Sequence, residues 1–231
     1  MRRPPILLAA LAWVAFAILA VLVKPGPVLF DEGLLLTFAS WRGERLDHVV
    51  VGITHLGGYV VQILLGVGLG GVLLVRARPF GLFVATSLLG SFATNEGLKR
   101  LFGRPRPSLV DRITDPYGLS FPSGHSQATM AFCLTLVLVA QHHPAVGPRG
   151  RHLAWLLLIF PVVVGWSRNY LGVHYPTDVL AGWAFGAGWV LLCYAAYLPR
   201  LAPGGAGFLS TQPATTQPAT TPPEVSAERD A

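Results

Sequence analysis

Residues 116–148, PYGLSFPSGHSQATMAFCLTLVLVAQHHPAVGP, contain no Asp, Glu, Lys or Arg. A helix needs about 20 mostly apolar residues to cross a hydrocarbon core, and the second half of this stretch supplies them. Outward from it, five more windows lack charge, at 4–23, 48–75, 79–95, 152–167 and 179–199. Each supplies one span if the shorter ones borrow a turn from their flanks. The pattern predicts an all-α integral membrane fold with six transmembrane helices, near 5–23, 55–75, 79–101, 123–142, 152–168 and 178–198.

Composition agrees with that reading. Of 231 residues, 52% are hydrophobic and 12% charged, and the mean hydropathy is +0.54. Water-soluble domains carry about 25% charged residues, which speaks against an ordinary soluble globule. Cys133 and Cys193 both lie inside apolar runs and form neither a disulfide framework nor a zinc motif. The net charge of +6 resides in loops and motifs rather than on a soluble basic face, which argues against a nucleic-acid partner.

Arg2 and Arg3 ahead of an apolar run with Ala15-Phe16-Ala17 also resemble a secretory signal, but cleavage there would leave Ile18 to Val23 as an apolar stub. An uncleaved anchor is expected. Asp31 to Trp41 begins with two acids and is otherwise bulky and apolar, which suits a short helix lying in the interface; an ordinary loop is the alternative. Arg2, Arg3, Arg76, Arg78, Arg149, Arg151 and Arg200 fall on one side of a six-span chain, and basic loops mark the cytoplasm. Lys99, Arg100, Arg104, Arg106, Arg112 and Arg168 fall on the other side, a breach that suggests a ligand for those charges. Beyond Ala202 the chain turns to Gly, Pro, Thr and Gln and repeats Thr-Gln-Pro-Ala-Thr. The expected division is one membrane domain, 1–200, and a disordered cytoplasmic tail, 201–231.

Three motifs carry the chemistry, all at helix ends on the outer side. Lys99 to Pro107 gathers several cations behind the third span. Phe121-Pro122-Ser123-Gly124-His125-Ser126 opens the fourth, where first-turn N–H groups have no helical partner and can face an anion. Ser167 to Asp178 links the fifth and sixth, with His174 and Asp178 four apart so that a carboxylate can face an imidazole. Each has a plain structural reading: a snorkelling lysine with a stiff Arg-Pro exit, a helix cap, a loop.

Taken together and in order, these residues resemble the type 2 phosphatidic acid phosphatases, membrane relatives of the vanadium haloperoxidases. The family pattern Lys-x6-Arg-Pro is met by Lys99, Arg106 and Pro107, Pro-Ser-Gly-His by Pro122 to His125, and Ser-Arg-x5-His-x3-Asp by Ser167, Arg168, His174 and Asp178. The resemblance implies a haloperoxidase-like helical core and a lipid phosphatase needing no metal or cofactor. In it, Lys99, Arg106 and Arg168 with the N–H groups of Ser123 and Gly124 bind the phosphate. It makes His174 the nucleophile that forms a phosphohistidine, Asp178 the group orienting it, and His125 the acid for the leaving oxygen. The expected partners are a lipid phosphate and the bilayer, with the site outside the plasma membrane.

Glu96, three before Lys99 and four before Arg100, reads as a helix ion pair. Asp111 and Asp115 read as solvated loop, since a metal phosphatase would need more carboxylate and histidine ligands converging on its ions. His142, His143 and His152 read as inert, and His48 and His55 as candidate substrate contacts. Tyr170 and Tyr175 stay unassigned between phosphate contact and aromatic belt. Two alternatives remain open at this stage. One is a non-enzymatic lipid binder or transporter, against which the absence of a repeat and of mid-depth charge speaks. The other is a phosphotransferase of the same family. Phosphatidic acid, phosphatidylglycerol phosphate and undecaprenyl pyrophosphate all fit as substrates.

Overall fold

The computed structural model describes residues 3–23 and 28–201. Among them are nine α-helices and no strand: α1 (Arg3–Leu22), α2 (Leu29–Ser40), α3 (Glu44–Leu56), α4 (Tyr59–Arg76), α5 (Arg78–Phe102), α6 (Gly124–His142), α7 (Pro148–Ala154), α8 (Ile159–Tyr170) and α9 (Pro176–Leu201). A 3-10 turn, Trp155–Leu158, joins α7 to α8. The expected tail, 201–231, lies outside the described residues from 202 onward.

Four stretches are long and apolar enough to cross a membrane: Pro4–Leu22, Glu44–Arg76 (α3 with α4), Pro148–Tyr170 and Pro176–Leu201. That is two fewer than the six expected. The helices α5 and α6 are long enough but not apolar enough, for a physical reason. Ser87, Ser91 and Asn95 form a buried stripe four residues apart on α5, and α6 buries Ser126, Gln127, Thr129 and Thr135. Gln127 Nε2 donates to the Ser91 carbonyl at 2.7 Å and Asn95 Nδ2 to Gln127 Oε1 at 2.9 Å, so the Ser91, Asn95 and Gln127 part of this stripe is paired inside the bundle, while Ser87 Oγ and Thr135 Oγ1 are buried with no partner among the described residues.

The second expected span begins early. Gly57 and Gly58 interrupt it, leaving α3 as a separate helix where only a loop was expected. The interfacial segment is helical, as α2. Lipid tails are as apolar as leucine, so helices in a bilayer associate through close packing rather than hydrophobic burial. On α9, Gly182 and Gly186 provide it. A Cβ at Gly182 would stand 2.6 Å from the Ser123 carbonyl, and one at Gly186 2.7 Å from that of Gln127. This is how α9 can lie directly on the first turns of α6. On its other side α9 takes α1, through Phe16 stacked edge-on to Phe185 at 5.1 Å.

The two ends of the bundle differ. Leu73, Phe80, Val139 and Leu201 share one core cluster, so the α4–α5 turn, the end of α6 and the end of α9 meet at the same end. Arg76, Arg78 and Arg200 flank that cluster in the chain. The end of α5, the start of α6, the end of α8 and the start of α9 meet at the other.

Candidate active site

The 103–123 loop leaves α5 through Gly103, whose φ of 61° lies in the left-handed region that glycine adopts without strain. That turn sends Arg104 and Arg106 back across the bundle. Arg106 donates from Nε to Gly118 O (3.0 Å), from Nη2 to Tyr117 O (2.8 Å) and from Nη1 to Val173 O (2.9 Å). Its Nη1 also stands 3.0 Å from His174 Nε2. A guanidinium only donates, so Nε2 is the acceptor and the imidazole proton sits on Nδ1. On that side, Ser120 Oγ is 3.3 Å and Asp178 Oδ2 3.5 Å away. Asn169 Nδ2 holds the His174 carbonyl at 2.9 Å.

His174 is 2% exposed. Burial, together with the charges of Arg106, Arg168 and Lys99, holds its pKa well below the usual 6.5, so the ring is neutral. Asp178, wholly buried, takes a hydrogen bond from Ser120 Oγ, one from the Tyr175 N–H at 2.9 Å and an ion pair from Arg104. Arg104 in turn reaches Asp31 Oδ2 at 3.0 Å.

The helix α6 begins beneath this cluster. The Ser123 N–H, expected to face phosphate, donates instead to the Asp178 carbonyl at 2.9 Å, because Gly182 brings α9 that close. Among the described residues the Gly124, His125 and Ser126 N–H groups have no such partner. Arg168 donates from Nη1 to Thr54 Oγ1 at 2.6 Å, while its Nε is buried without a partner. Lys99 Nζ donates to the Leu119 carbonyl at 2.9 Å. The expected Glu96 pair with Lys99 or Arg100 is absent among the described residues: Lys99 turns toward the loop, and Glu96 is exposed. The His125 ring rests against Tyr59, centroids 6.1 Å apart.

Tyr59 also heads an apolar groove of about 370 Å³ between α4, α5 and α6, which runs past Gly66, Gly70 and Leu88 to Leu74. The groove starts at Tyr59, the ring that His125 rests against.

The PAP2 superfamily model matches residues 80–201, more than half of the chain and all three motifs. The chain belongs to the PAP2 superfamily. Phosphatidylglycerophosphatase B of Bacillus subtilis is 30% identical over 175 residues, covering 74% of this chain and 85% of that protein. Decaprenylphosphoryl-5-phosphoribose phosphatase of Mycobacterium tuberculosis is 32% identical over 139 residues, 59% of this chain and 72% of its own. Among solved structures, the transmembrane PAP2-type phosphatidylglycerolphosphate phosphatase from Bacillus subtilis superposes with a TM-score of 0.72 at 27% identity, covering 80% of this chain and 93% of that one. The PAP2 chain is therefore a phosphoric ester hydrolase and a multi-pass membrane protein.

All eight residues singled out by motif meet at one end of the bundle. Four contributors were missed by the sequence reading: Ser120, Asn169, Asp31 and Tyr59. Ser120 and Asn169 lie beside motif positions but carry no spacing signal, while Asp31 and Tyr59 come from helices far away in sequence. Arg104 was read only as one more cation at the mouth, and it proves to be bound to carboxylates rather than open to a ligand. Asp111 and Asp115 are exposed, as are His48 and His55, and His48 Nδ1 is taken by its own helix at Glu44 O. Tyr170 donates to Asp47 and Tyr175 stacks under Arg104, so both act within the protein.

Proposed function

We propose that this PAP2 chain is a metal-independent lipid phosphatase working through a phosphohistidine on His174, with its site on the outer face of a six-span plasma-membrane protein. The observation that carries the mechanism is the Arg106 donor on His174 Nε2 with Asp178 on the Nδ1 side, which supports a lone pair on Nε2 and a proton on Nδ1. A lipid phosphate brings about two negative charges, and its transfer depends mostly on positioning and charge stabilisation. Lys99, Arg106 and Arg168 supply the charge, and the Gly124 N–H and the Ser123 hydroxyl are the polar groups of the α6 entrance.

In the first step a phosphate oxygen takes over the Arg106 donor, and Nε2 attacks phosphorus in line. An N–P bond forms as the P–O ester bond breaks. The imidazole becomes cationic, and Asp178 stabilises it through Nδ1–H. His125 gives its proton to the leaving lipid oxygen; the bound phosphate dianion beside it favours the imidazolium this requires. In the second step neutral His125 takes a proton from water, whose oxygen bonds to phosphorus as the N–P bond breaks and its electron pair returns to His174 Nε2. Inorganic phosphate leaves and both histidines return to their starting states.

The groove at Tyr59 supports a lipid substrate, since it offers an apolar path for a hydrocarbon chain attached to the oxygen beside His125. The relatives named for phosphatidylglycerophosphate and decaprenyl-linked phosphate support a lipid monoester, with a polyprenyl pyrophosphate as the anhydride equivalent. Phosphate release from a panel of these lipids by purified protein in detergent, with EDTA present, tests the reading. Release with little loss to the chelator is expected. No release from any lipid overturns it, and transfer to an added lipid alcohol in preference to water makes the chain a phosphotransferase.

A further inference from the structure

The buried group behind Asp178 contains two charged side chains besides the orienting carboxylate, Arg104 and Asp31. Arg104 divides its guanidinium between two acids: Nη1 to Asp178 Oδ1 and to Thr177 Oγ1 (2.8 Å), Nη2 to Asp31 Oδ2 (3.0 Å). The Arg104 Cζ lies 4.3 Å from the centroid of the Tyr175 ring, which fixes its plane. Asp31 is itself saturated with donors, taking the Thr177 N–H on Oδ1 at 2.9 Å and the Thr177 hydroxyl on Oδ2 at 2.7 Å. Asp31, Asp178 and Thr177 have no exposed surface, and Arg104 is 6% exposed. Two carboxylates and one guanidinium therefore leave the group with one net negative charge, screened from water and directed at His174.

We propose that Asp31 is a positioning residue for the reaction: it engages half of Arg104 and so leaves on Asp178 the negative charge that His174 needs as it becomes cationic. This rests on the phosphohistidine reading above. With Arg104 alone, Asp178 would face a full unit of opposite charge and would be a weak acceptor for Nδ1–H. With Asp31 present, that guanidinium is shared. The arrangement also joins α2 to the chemistry. Asp31 sits in the first turn of α2 and grips the first turn of α9, so the reacting histidine is correctly set only when α2 is seated on the bundle.

The test uses the full-length chain in detergent and the Asp31→Asn variant. Both carboxylate oxygens face donors, so an amide must turn its NH2 against one of them. The expected result is a kcat lower by about 10²-fold, the scale of a small misplacement of a catalytic group, with KM and inhibition by vanadate unchanged because the phosphate cradle is untouched. On an Asp178→Asn background the same substitution should cost almost nothing further, since the two act as a unit. A residue that only fastened α2 would instead lower thermal stability and give a loss that multiplies with that of Asp178→Asn; this outcome overturns the inference, as does a normal kcat. If Asp31→Asn does not accumulate as folded protein, Arg104→Lys decides by the same measurements, because it keeps the charge and loses the fork. An active wild type with an unaffected variant refutes this inference alone. A wild type that hydrolyses no lipid phosphate overturns the hydrolase reading and this inference with it.

Discussion

Arg106 meets His174 through a single nitrogen, Nη1, which stands 3.0 Å from Nε2 and 2.9 Å from the Val173 carbonyl. The contact does two things. It assigns the tautomer, because a guanidinium nitrogen only donates and the ring nitrogen facing it must carry the lone pair. It also covers the attacking nitrogen with the side chain best suited to a phosphate oxygen, so that the guanidinium can pass from ring to substrate as the substrate arrives.

The same contact makes a prediction about pH. His174 is held well below its ordinary pKa first by burial and then by the Arg106 charge. It loses its lone pair only when the pH falls through that lowered value. Removing the charge in Arg106→Gln raises the His174 pKa toward 6.5, so the acid limb of kcat/KM should move to higher pH, on top of an overall loss. A profile that keeps its shape would show that Arg106 does not govern the ionisation of this ring.

His174 and His125 should separate by leaving group. His174→Ala removes the covalent route and should abolish turnover on every substrate, with no acid-labile phosphoenzyme. His125→Ala should lose about 10² to 10⁴ on lipid substrates and regain much of it with p-nitrophenyl phosphate, whose leaving group needs little protonation. Rapid-quench measurements on both substrates check this. Equal rescue of the two variants would show the roles to be wrongly divided.

Gly71 lines the groove, and a Cβ there would meet nothing within 4 Å. Gly71→Phe should therefore fold and fill the path of a hydrocarbon chain. KM for a long-chain lipid phosphate should rise by about tenfold, the scale of a misfit of one or two methylenes, while p-nitrophenyl phosphate is hydrolysed as before. An equal effect on both substrates would place the chain elsewhere.

A cysteine in place of the exposed Asp115 reports the sidedness of the site. Cys133 and Cys193 are buried and give little background. Labelling of intact cells by an impermeant maleimide is expected. Labelling only after the inner face is opened would turn the site toward the cytoplasm.

Charge spacing alone carried the all-helical membrane class, because the absence of ionisable side chains over some 20 residues is a local property that a bilayer reads directly. The same local logic located the ends of α5, α6 and α9 within a few residues. It could not see that α5 and α6 bury a serine, asparagine and glutamine stripe against each other, since whether a polar residue faces lipid or a neighbour depends on packing. Nor did it find α3, whose break from α4 at Gly57 depends on how that turn sits on α8. At the site, Lys99, Arg106, Ser123, Gly124, His125, Arg168, His174 and Asp178 could be singled out because they stand in short motifs that resemble a family pattern. What only the tertiary structure decided is which of their polar atoms are free: the Ser123 N–H is taken by α9, Lys99 leaves Glu96 for a loop carbonyl, and Arg104 is shared between Asp31 and Asp178, residues 147 positions apart in the chain and brought onto one guanidinium. A hydrogen bond is satisfied by whatever partner the fold brings within 3 Å or so, and a one-dimensional pattern contains the candidates for that partner but not the distances between them.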